Sequence, residues 1–413
     1  MTATPKKSTM KQVTLIPVAA TTLLLTCGAQ AQDVQLYGLI DAGVTRVTGL
    51  AQGSVTQLSS GIMEGSRWGL KGTEDLGGGY KAIFTLESRF ETDTGGLSNR
   101  PISGTQVPDR IATAANLGLN PVLQNTINAI NTQLASNILG VNLNSAQFDR
   151  QAYVGMITPV GAVLAGRMYT PDYETAAAFD AMETQSALAA GQLAAIPAGF
   201  DIRMSNALQY RVQTGGVSAS LMYAAGETGS SSSNSRLLGA MGMYKGNGYA
   251  FGAGHNTRNN ENGQKSLTTT TIGGWVNAGP GKLSAAYSMH KDDNPSGLGS
   301  IPAGALRTAY SNALKMDMTL FNIGYRMQFG PSTVTVAYTT RNDKTSYNAD
   351  ARSYGVAYTY ALSKRTDLNA VLVRFDNKTN GQAAPGGNGY LGGVTRAAGV
   401  DSTSLALGIR HRF

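Results

Sequence analysis

The 413-residue chain predicts an all-β fold: a sixteen-stranded antiparallel transmembrane β-barrel with short turns at one end and long loops at the other. Three observations carry that prediction. The composition, with 51 Gly and 18 Tyr against only 13 Pro and 14% charged residues, suits many short strands joined by tight turns. Apolar residues recur with period two, not 3.6. The connections between the alternating segments are by turns short and long, a pattern that closed membrane sheets share.

The N-terminal segment stands apart from that pattern. Lys6, Lys7 and Lys11 precede the apolar run "VTLIPVAATTLLLTCGA", which ends in "AQA" at 29–31. This reads as a secretory signal peptide over residues 1–31, with a mature barrel over 32–413. A lipoprotein signal at Cys27 is the rival reading, and Thr26 is a poor residue before a lipidated cysteine. Cleavage removes the only cysteine, so the exported chain has no disulfide to draw on. It also removes three lysines and no acid, taking the formal charge from +8 to +5. That balance, with no basic run interleaved with aromatics, argues against nucleic acid as a partner. No later apolar run approaches the roughly 18 residues of a membrane-crossing helix.

Individual strands show the period directly. In "YKAIFTLESRF" (80–90), Tyr80, Ala82, Phe84, Leu86, Ser88 and Phe90 fall on one face, and Lys81, Ile83, Thr85, Glu87 and Arg89 on the other. In "TLFNIGYRMQF", Phe321, Ile323, Tyr325, Met327 and Phe329 oppose Asn322, Arg326 and Gln328; in "STVTVAYTTR", Val334, Val336 and Tyr338 oppose Thr333, Thr335, Thr339 and Arg341. Short connections fall at 75–79, 158–161, 214–216, 245–248, 278–282, 329–332 and 362–366. Long ones centre on 49–63, 92–146, 169–204, 227–235, 257–266, 292–316, 342–350 and 377–401. Seven turns and eight loops join sixteen strands. In hydrocarbon every backbone N–H and C=O must be paired within the protein, so such a sheet has to close on itself. Apolar residues then face lipid and polar ones the lumen, with aromatic girdles at the interfaces: Trp68, Tyr80, Phe90, Tyr223, Tyr249, Phe329 and Tyr360 are candidates. Tyr37, out of phase with Leu36 and Ile40, is expected in the lumen. Sixteen strands enclose more space than side chains fill, which implies an aqueous channel.

Loop 92–146 contains "NPVLQNTINAINTQLASNIL", in which Asn120 can cap, Pro121 suits the first helical position, and Leu123, Ile127, Ile130, Leu134 and Ile138 share a face. This predicts a short amphipathic helix outside the barrel, packed on its own loops in preference to a neighbouring subunit.

Three stretches, "VQLYGLIDAGV" (34–44), "SRWGLKGTEDLGGGYKAIFTLESRF" (66–90) and "RQAYVGM...GRMYTPDYE" (150–174), resemble the first strands of the general porins of beta-proteobacteria. "YALSKRTDLNA" (360–370) and "GIRHRF" (408–413) are similar to that family's last two strands. The resemblance implies a Gram-negative outer-membrane porin, a homotrimer whose third long loop folds inward to narrow the pore. It assigns loop 169–204 to that role, where Asp172, Glu174, Asp180 and Glu183 would form the acidic side of the constriction. Among lumen-phase cations, Arg67, Arg89 and Arg167 are the expected basic wall, while Lys81 and Arg211 lie nearer the periplasmic rim. Asp33, Asp41 and Arg410 read as structural, because the first strand must pair with the last. The resemblance also makes the terminal Phe413 of "LALGIRHRF" an assembly signal for the barrel-insertion machinery, placed in the lower aromatic girdle beside strand one.

The expected activity is passive diffusion of small hydrophilic solutes and ions, with weak anion preference from the lumenal arginines. The partners are outer-membrane lipid, identical subunits and those solutes, and no cofactor or metal is called for. A solute-specific channel with a shaped pore site stays open as the alternative. An enzyme is disfavoured because His255, His290 and His411 have no spacing that unites them with a nucleophile. "HKDD" after Met289 reads as a solvated loop. "GNGYLG" (387–392) matches a dinucleotide-binding pattern by letter only, since no helix-forming run follows it.

Overall fold

The computed structural model describes residues 33–104, 106–194, 198–229, 231–386 and 392–413. The expected signal peptide, and most of "GNGYLG", lie outside them. The first part of the wall is β1 (Asp33–Leu50), β2 (Gly53–Ser60), β3 (Arg67–Gly77), β4 (Tyr80–Arg89), β5 (Gln151–Thr158), β6 (Gly161–Tyr169), β7 (Arg203–Thr214) and β8 (Val217–Ala224). It continues through β9 (Leu237–Lys245), β10 (Tyr249–Asn259), β11 (Lys265–Ala278), β12 (Gly281–Asp292), β13 (Met316–Phe329), β14 (Ser332–Asp343), β15 (Ala351–Ala361) and β16 (Thr366–Asn377). A small hairpin of β17 (Ala383–Ala384) and β18 (Gly393–Val394) sits in the last loop, before β19 (Ser402–Arg412). Each wall strand is antiparallel to its neighbours, and β19 pairs with both β16 and β1, so the sheet closes.

Seventeen strands occupy sixteen positions around the wall because β2 and β3 share one. β1 pairs with β2 along its outer half and with β3 along its inner half, and residues 61–66 interrupt the position between them. The Asp41 carboxylate meets the amides this break releases, accepting from the backbone of Ile62 (3.1 Å), Met63 (2.8 Å) and Glu64 (2.8 Å). A side chain thereby supplies partners that hydrocarbon cannot.

All seven predicted short turns are turns in the structure, and outward exposure follows the predicted phase. Leu36, Ile40, Phe321, Val336 and Tyr338 are exposed on the outside, with Tyr80, Tyr249, Phe329 and Tyr360 near strand ends. No described helix is long and apolar enough to cross a membrane. Two loop expectations need correction. Residues 49–63 are not a long loop: β1 and β2 run up to a tight turn at 51–52, because their extended segments keep pairing beyond the point where polar composition suggested a loop. Likewise β10 and β11 extend to Asn259 and Lys265, leaving only a short connection.

The long second loop and the loop at 293–315 fold together. α1 (Asp109–Ala112) precedes a 3-10 turn, Pro121–Leu123, which leads into α2 (Gln124–Ile138); Asn120 caps the turn by accepting from Val122 N at 3.0 Å. Ile127 and Leu134 are buried with Ile111, Leu117, Leu298, Ile301 and Tyr310, while Leu123 and Ile130 pack at the edge. The side chain of Ile138 is outside the description. The helix thus packs on its own loops. Arg110 ties this cap to the barrel, pairing with Asp343 at 3.4 Å and stacking on Tyr347 at 4.4 Å.

Ile127→Ala should destabilise the cap by about 3 kcal/mol, the cost of a large-to-small core change. Hydrogen exchange would then rise over 109–138, with the wall strands unchanged.

Candidate functional site: a channel between an inward loop and a basic wall

The third loop leaves β6 at Thr170 and runs inside the barrel as α3 (Pro171–Phe179), a left-handed bend at Glu183, Thr184 and Ser186, and α4 (Gly191–Ala194). It can lie flush because the wall opposite is bare. A Cβ on Gly239, Gly254, Gly273 or Gly324 would lie within 3 Å of Pro171, Asp172, Phe179 or Ala181 respectively. One glycine on each of β9, β10, β11 and β13 therefore forms a track for the loop. Beyond it, Met182, Leu188 and Leu193 seat on Met318, Leu320, Val371, Val373 and Phe375. A lumen face that is polar throughout is thus not what the structure has. Between Leu368 and Phe375, β16 is largely apolar on both faces, because the loop covers its inner one.

Two of the four expected pore acids face the opening and two do not. Glu174 pairs with Arg211 of β7, and Glu183 pairs with Arg326 of β13 at 3.0 Å, its side chain 64% exposed. Asp172 is fully buried between α3 and the wall, where it faces the hydroxyls of Thr269 and Thr271 without a well-formed hydrogen bond or a cationic partner. Burial pushes its carboxyl up to about 6. Asp180 is buried too and braces the loop, accepting from Met182 N (2.9 Å) and Ala190 N (3.0 Å); desolvation outweighs these bonds and raises it to about 6. Both carboxyls lie behind the loop and away from the opening, Asp180 bracing the loop's backbone and Asp172 unpaired against the wall.

The basic wall also differs in membership. Arg67 faces the lumen, held by Glu64 at 2.7 Å and Glu87 at 3.7 Å. Arg89 is buried at the outer end of β4 between Asp149 (3.4 Å) and Glu91 (3.3 Å), closed off by the loops above it. Arg167 sits in register with Ala152, on the phase of outward-facing Val154 and Val163, and binds the Asp149 carbonyl and the Ser205 hydroxyl. Its expected lumen phase fails because Leu164 and Met168, the neighbours it alternates with, are inward-facing apolar residues.

Arg203 takes their place, with Arg150 buried behind it as a brace. Glu87 accepts from Tyr37 (3.1 Å) and from Arg150 (2.6 Å); Arg150 and Arg203 both donate to the Tyr169 hydroxyl at 3.0 Å. Arg203 lies 4.6 Å over the Tyr169 ring, which stacks on Tyr173 of α3 at 5.1 Å. Tyr37 is lumenal as its phase predicts. Arg211 is not merely at the rim: it reaches up to the loop through Glu174, whereas Lys81 stays exposed beside its turn. Below the loop a cavity of about 1130 Å³ is lined by Tyr169, Tyr173, Glu174, Glu183, Arg211 and Lys282 and descends to the turn at 158–161. The signal for Arg203 and Arg326 was their lumen phase. Nothing in Arg150, which precedes its strand, marked it.

The histidines stay apart. His290 is not in a loop but buried in β12, its Nδ1 2.7 Å from the Gly199 carbonyl; His255 faces outward beside Thr270, and His411 beside Thr366. Among the described residues no group of His, Cys, Asp and Glu could hold a metal.

A closed sixteen-position barrel with an inward third loop and a charged aqueous gap defines the class of outer-membrane channels. The chain belongs to the Gram-negative porin family, whose sequence profile matches residues 19–380. It is 27% identical over 418 residues to outer membrane porin protein 32 of Delftia acidovorans, covering 96% of this chain and 99% of the relative. Among solved structures it superposes on the anion-selective porin from Comamonas acidovorans with a TM-score of 0.70 at 23% identity, over 92% of this chain and all of that one. The trimer form of OmpT from Vibrio cholerae follows the same fold at 0.58 and 12% identity, over 93% of this chain and 100% of that one. The protein is accordingly an outer-membrane β-barrel porin, a diffusion channel and not an enzyme.

Because the Asp172 and Asp180 carboxyls are raised in the folded state, their stabilising contribution is complete below about pH 4 and is lost as pH rises through about 6. Asp172→Asn should raise thermal stability at pH 7, by on the order of 2 kcal/mol, and flatten its fall between pH 4 and 7. An unchanged slope in calorimetry would count against the buried, unpaired carboxyl.

Proposed function

We propose that small hydrophilic solutes and ions cross this porin by passive diffusion between the third loop and the wall of β3 to β7, with weak preference for anions. The carrying observation is the charge balance of that gap. Arg67, Arg203 and Arg211 line one side; Arg67 is balanced by Glu64 and Glu87, while Arg203, held by the Tyr169 hydroxyl and ring, makes no ion pair among the described residues. Among the described residues, the loop acids on the other side are Glu174 and Glu183, and each is already engaged by an arginine. Lys282 adds a further cation to the cavity. Such a field raises the local concentration of anions and lowers that of cations. The solved relative described as anion-selective supports the same sign.

In a potassium chloride gradient the reversal potential should carry the sign of chloride preference, and Arg67→Gln with Arg203→Gln should move it towards zero. Potassium preference in the wild type would defeat the reading.

The assembled state proposed is a homotrimer of the mature chain beginning at Gln32, embedded in outer-membrane lipid. Phe413 is proposed to direct insertion. Its backbone bonds to Gly38 in both directions, at 3.1 and 3.2 Å, and its ring lies over that glycine beside β1. Removing Phe413 should reduce the yield of heat-resistant oligomer on gels far more than the conductance of what assembles. Wild-type yield would contradict the role.

A further inference from the structure

Below the seat of the third loop, the lumen wall of β9 to β13 carries side chains that neither barrel closure nor loop anchoring uses. Gly273 of β11 faces Phe179 of the loop, and Trp275 is the next residue of the same phase, about 7 Å nearer the periplasmic turn. Its partners directly across are Ala250 of β10 and Ser284 of β12, both small and buried, so neither covers the half-buried indole. Lys282 of β12 lies one lumen position lower, its ammonium 5.4 Å from the centroid of the Trp275 ring.

The charges beside that ring do not balance. Lys282 stands directly opposite Arg326 of β13, and like charges so placed are destabilising. Glu183 holds Arg326 at 3.0 Å, whereas Lys282 makes no ion pair among the described residues. Lys282 also lines both the cavity of about 1130 Å³ beneath the loop and a neighbouring one of about 380 Å³. Of the residues lining the two, Arg211, Lys282 and Arg326 are cations, and Glu174 and Glu183 are the carboxylates that engage the two arginines. The charge left over is that of Lys282.

The rest of the lining is more than a bare ion needs. Glu174, Ala177 and Ala178 share the face of α3 above the cavity, at i, i+3 and i+4, and the alanines leave room there. Met241 and Met243, alternate residues of β9, bring two thioethers to the same space. Thioethers fit irregular shapes and attract aromatic rings.

We infer that this cavity is a weak binding site for aromatic carboxylates, with the carboxylate on Lys282 and Arg326 and the ring between Trp275 and the methionine and alanine surface. An inorganic anion uses only the charge; an aromatic acid uses the charge and the apolar lining together. The inference rests on the proposed diffusion path only in that solutes reach the cavity by it. Passage of this class then saturates, where passage of small ions stays linear.

The chain has two tryptophans, so W68F leaves Trp275 as the reporter. Purified W68F porin in detergent is titrated with 4-nitrobenzoate, a contact quencher of indole emission, and with the uncharged 4-nitrobenzamide. Quenching by the carboxylate should saturate, at a half-point about tenfold below that of the amide. K282Q in the same background should remove the difference, with heat-modifiable mobility on gels showing that each variant is folded. Equal quenching by the two probes overturns the inference, and the same comparison in the unaltered protein needs no variant. A half-point indifferent to K282Q overturns it too, and is the result expected if the ammonium and the indole are only a structural pair. Neither failure alters the chloride reversal potential, which tests the diffusion reading by itself.

Discussion

The pairing of β19 with β1 is the constraint on which the remaining structure depends. An open sheet in hydrocarbon would leave a row of N–H and C=O groups with no partner, each at a cost of several kcal/mol. The register from Leu39 opposite Arg412 to Val47 opposite Ser404 removes both edges at once. Charged side chains reinforce the join from the lumen: Glu64 binds Arg410 at 2.6 Å and Arg412 at 3.0 Å, and Asp367 binds the same two arginines at 3.0 and 2.9 Å. Glu64 comes from the break between β2 and β3, the same segment whose amides Asp41 holds. The seam and the irregular second position therefore stabilise each other.

Closure fixes an interior too wide for the wall's own side chains, and the third loop occupies much of it. The loop follows the bare glycines of β9 to β13 and then the apolar inner surface of β13 to β19, which leaves β3 to β7 as the uncovered, polar side. Function follows from that asymmetry. Among the described residues, a loop anchored by burial leaves Glu174 and Glu183 to meet solutes, against a wall where Arg67 is kept in place by Glu64 and Glu87 and Arg203 by Tyr169. The arginines are oriented by neighbours on adjacent strands, so the field in the gap is part of the sheet and not of a mobile loop.

Much of this was legible in the sequence, for a physical reason: period-two alternation and glycine-rich turns are local properties. All seven short turns, the outward phase of Leu36 or Val336, the lumenal Tyr37 and the capped helix after Asn120 could be read from neighbours within a few positions. What could not be read depends on a second layer brought from far away in the chain. Asp172 and Asp180 look like pore charges until the loop presses them against the wall or folds back on them. Arg89 disappears under loops that the strand pattern does not contain. Arg167 misled because its inward neighbours Leu164 and Met168 are apolar, which inverts the usual assignment of faces. Val371, Val373 and Phe375 are apolar for the same reason that Asp172 is buried: both meet the third loop, whose path no local pattern encodes.

The central claim is that a water-filled gap runs between that loop and the basic wall. Single-channel recording of the purified protein in planar bilayers tests it most directly. The account predicts discrete, ohmic conductance steps that scale with bulk salt conductivity and grow smaller when non-electrolyte polymers small enough to enter the gap are added. A protein that inserts but gives no steps, or steps indifferent to every polymer size, would contradict it.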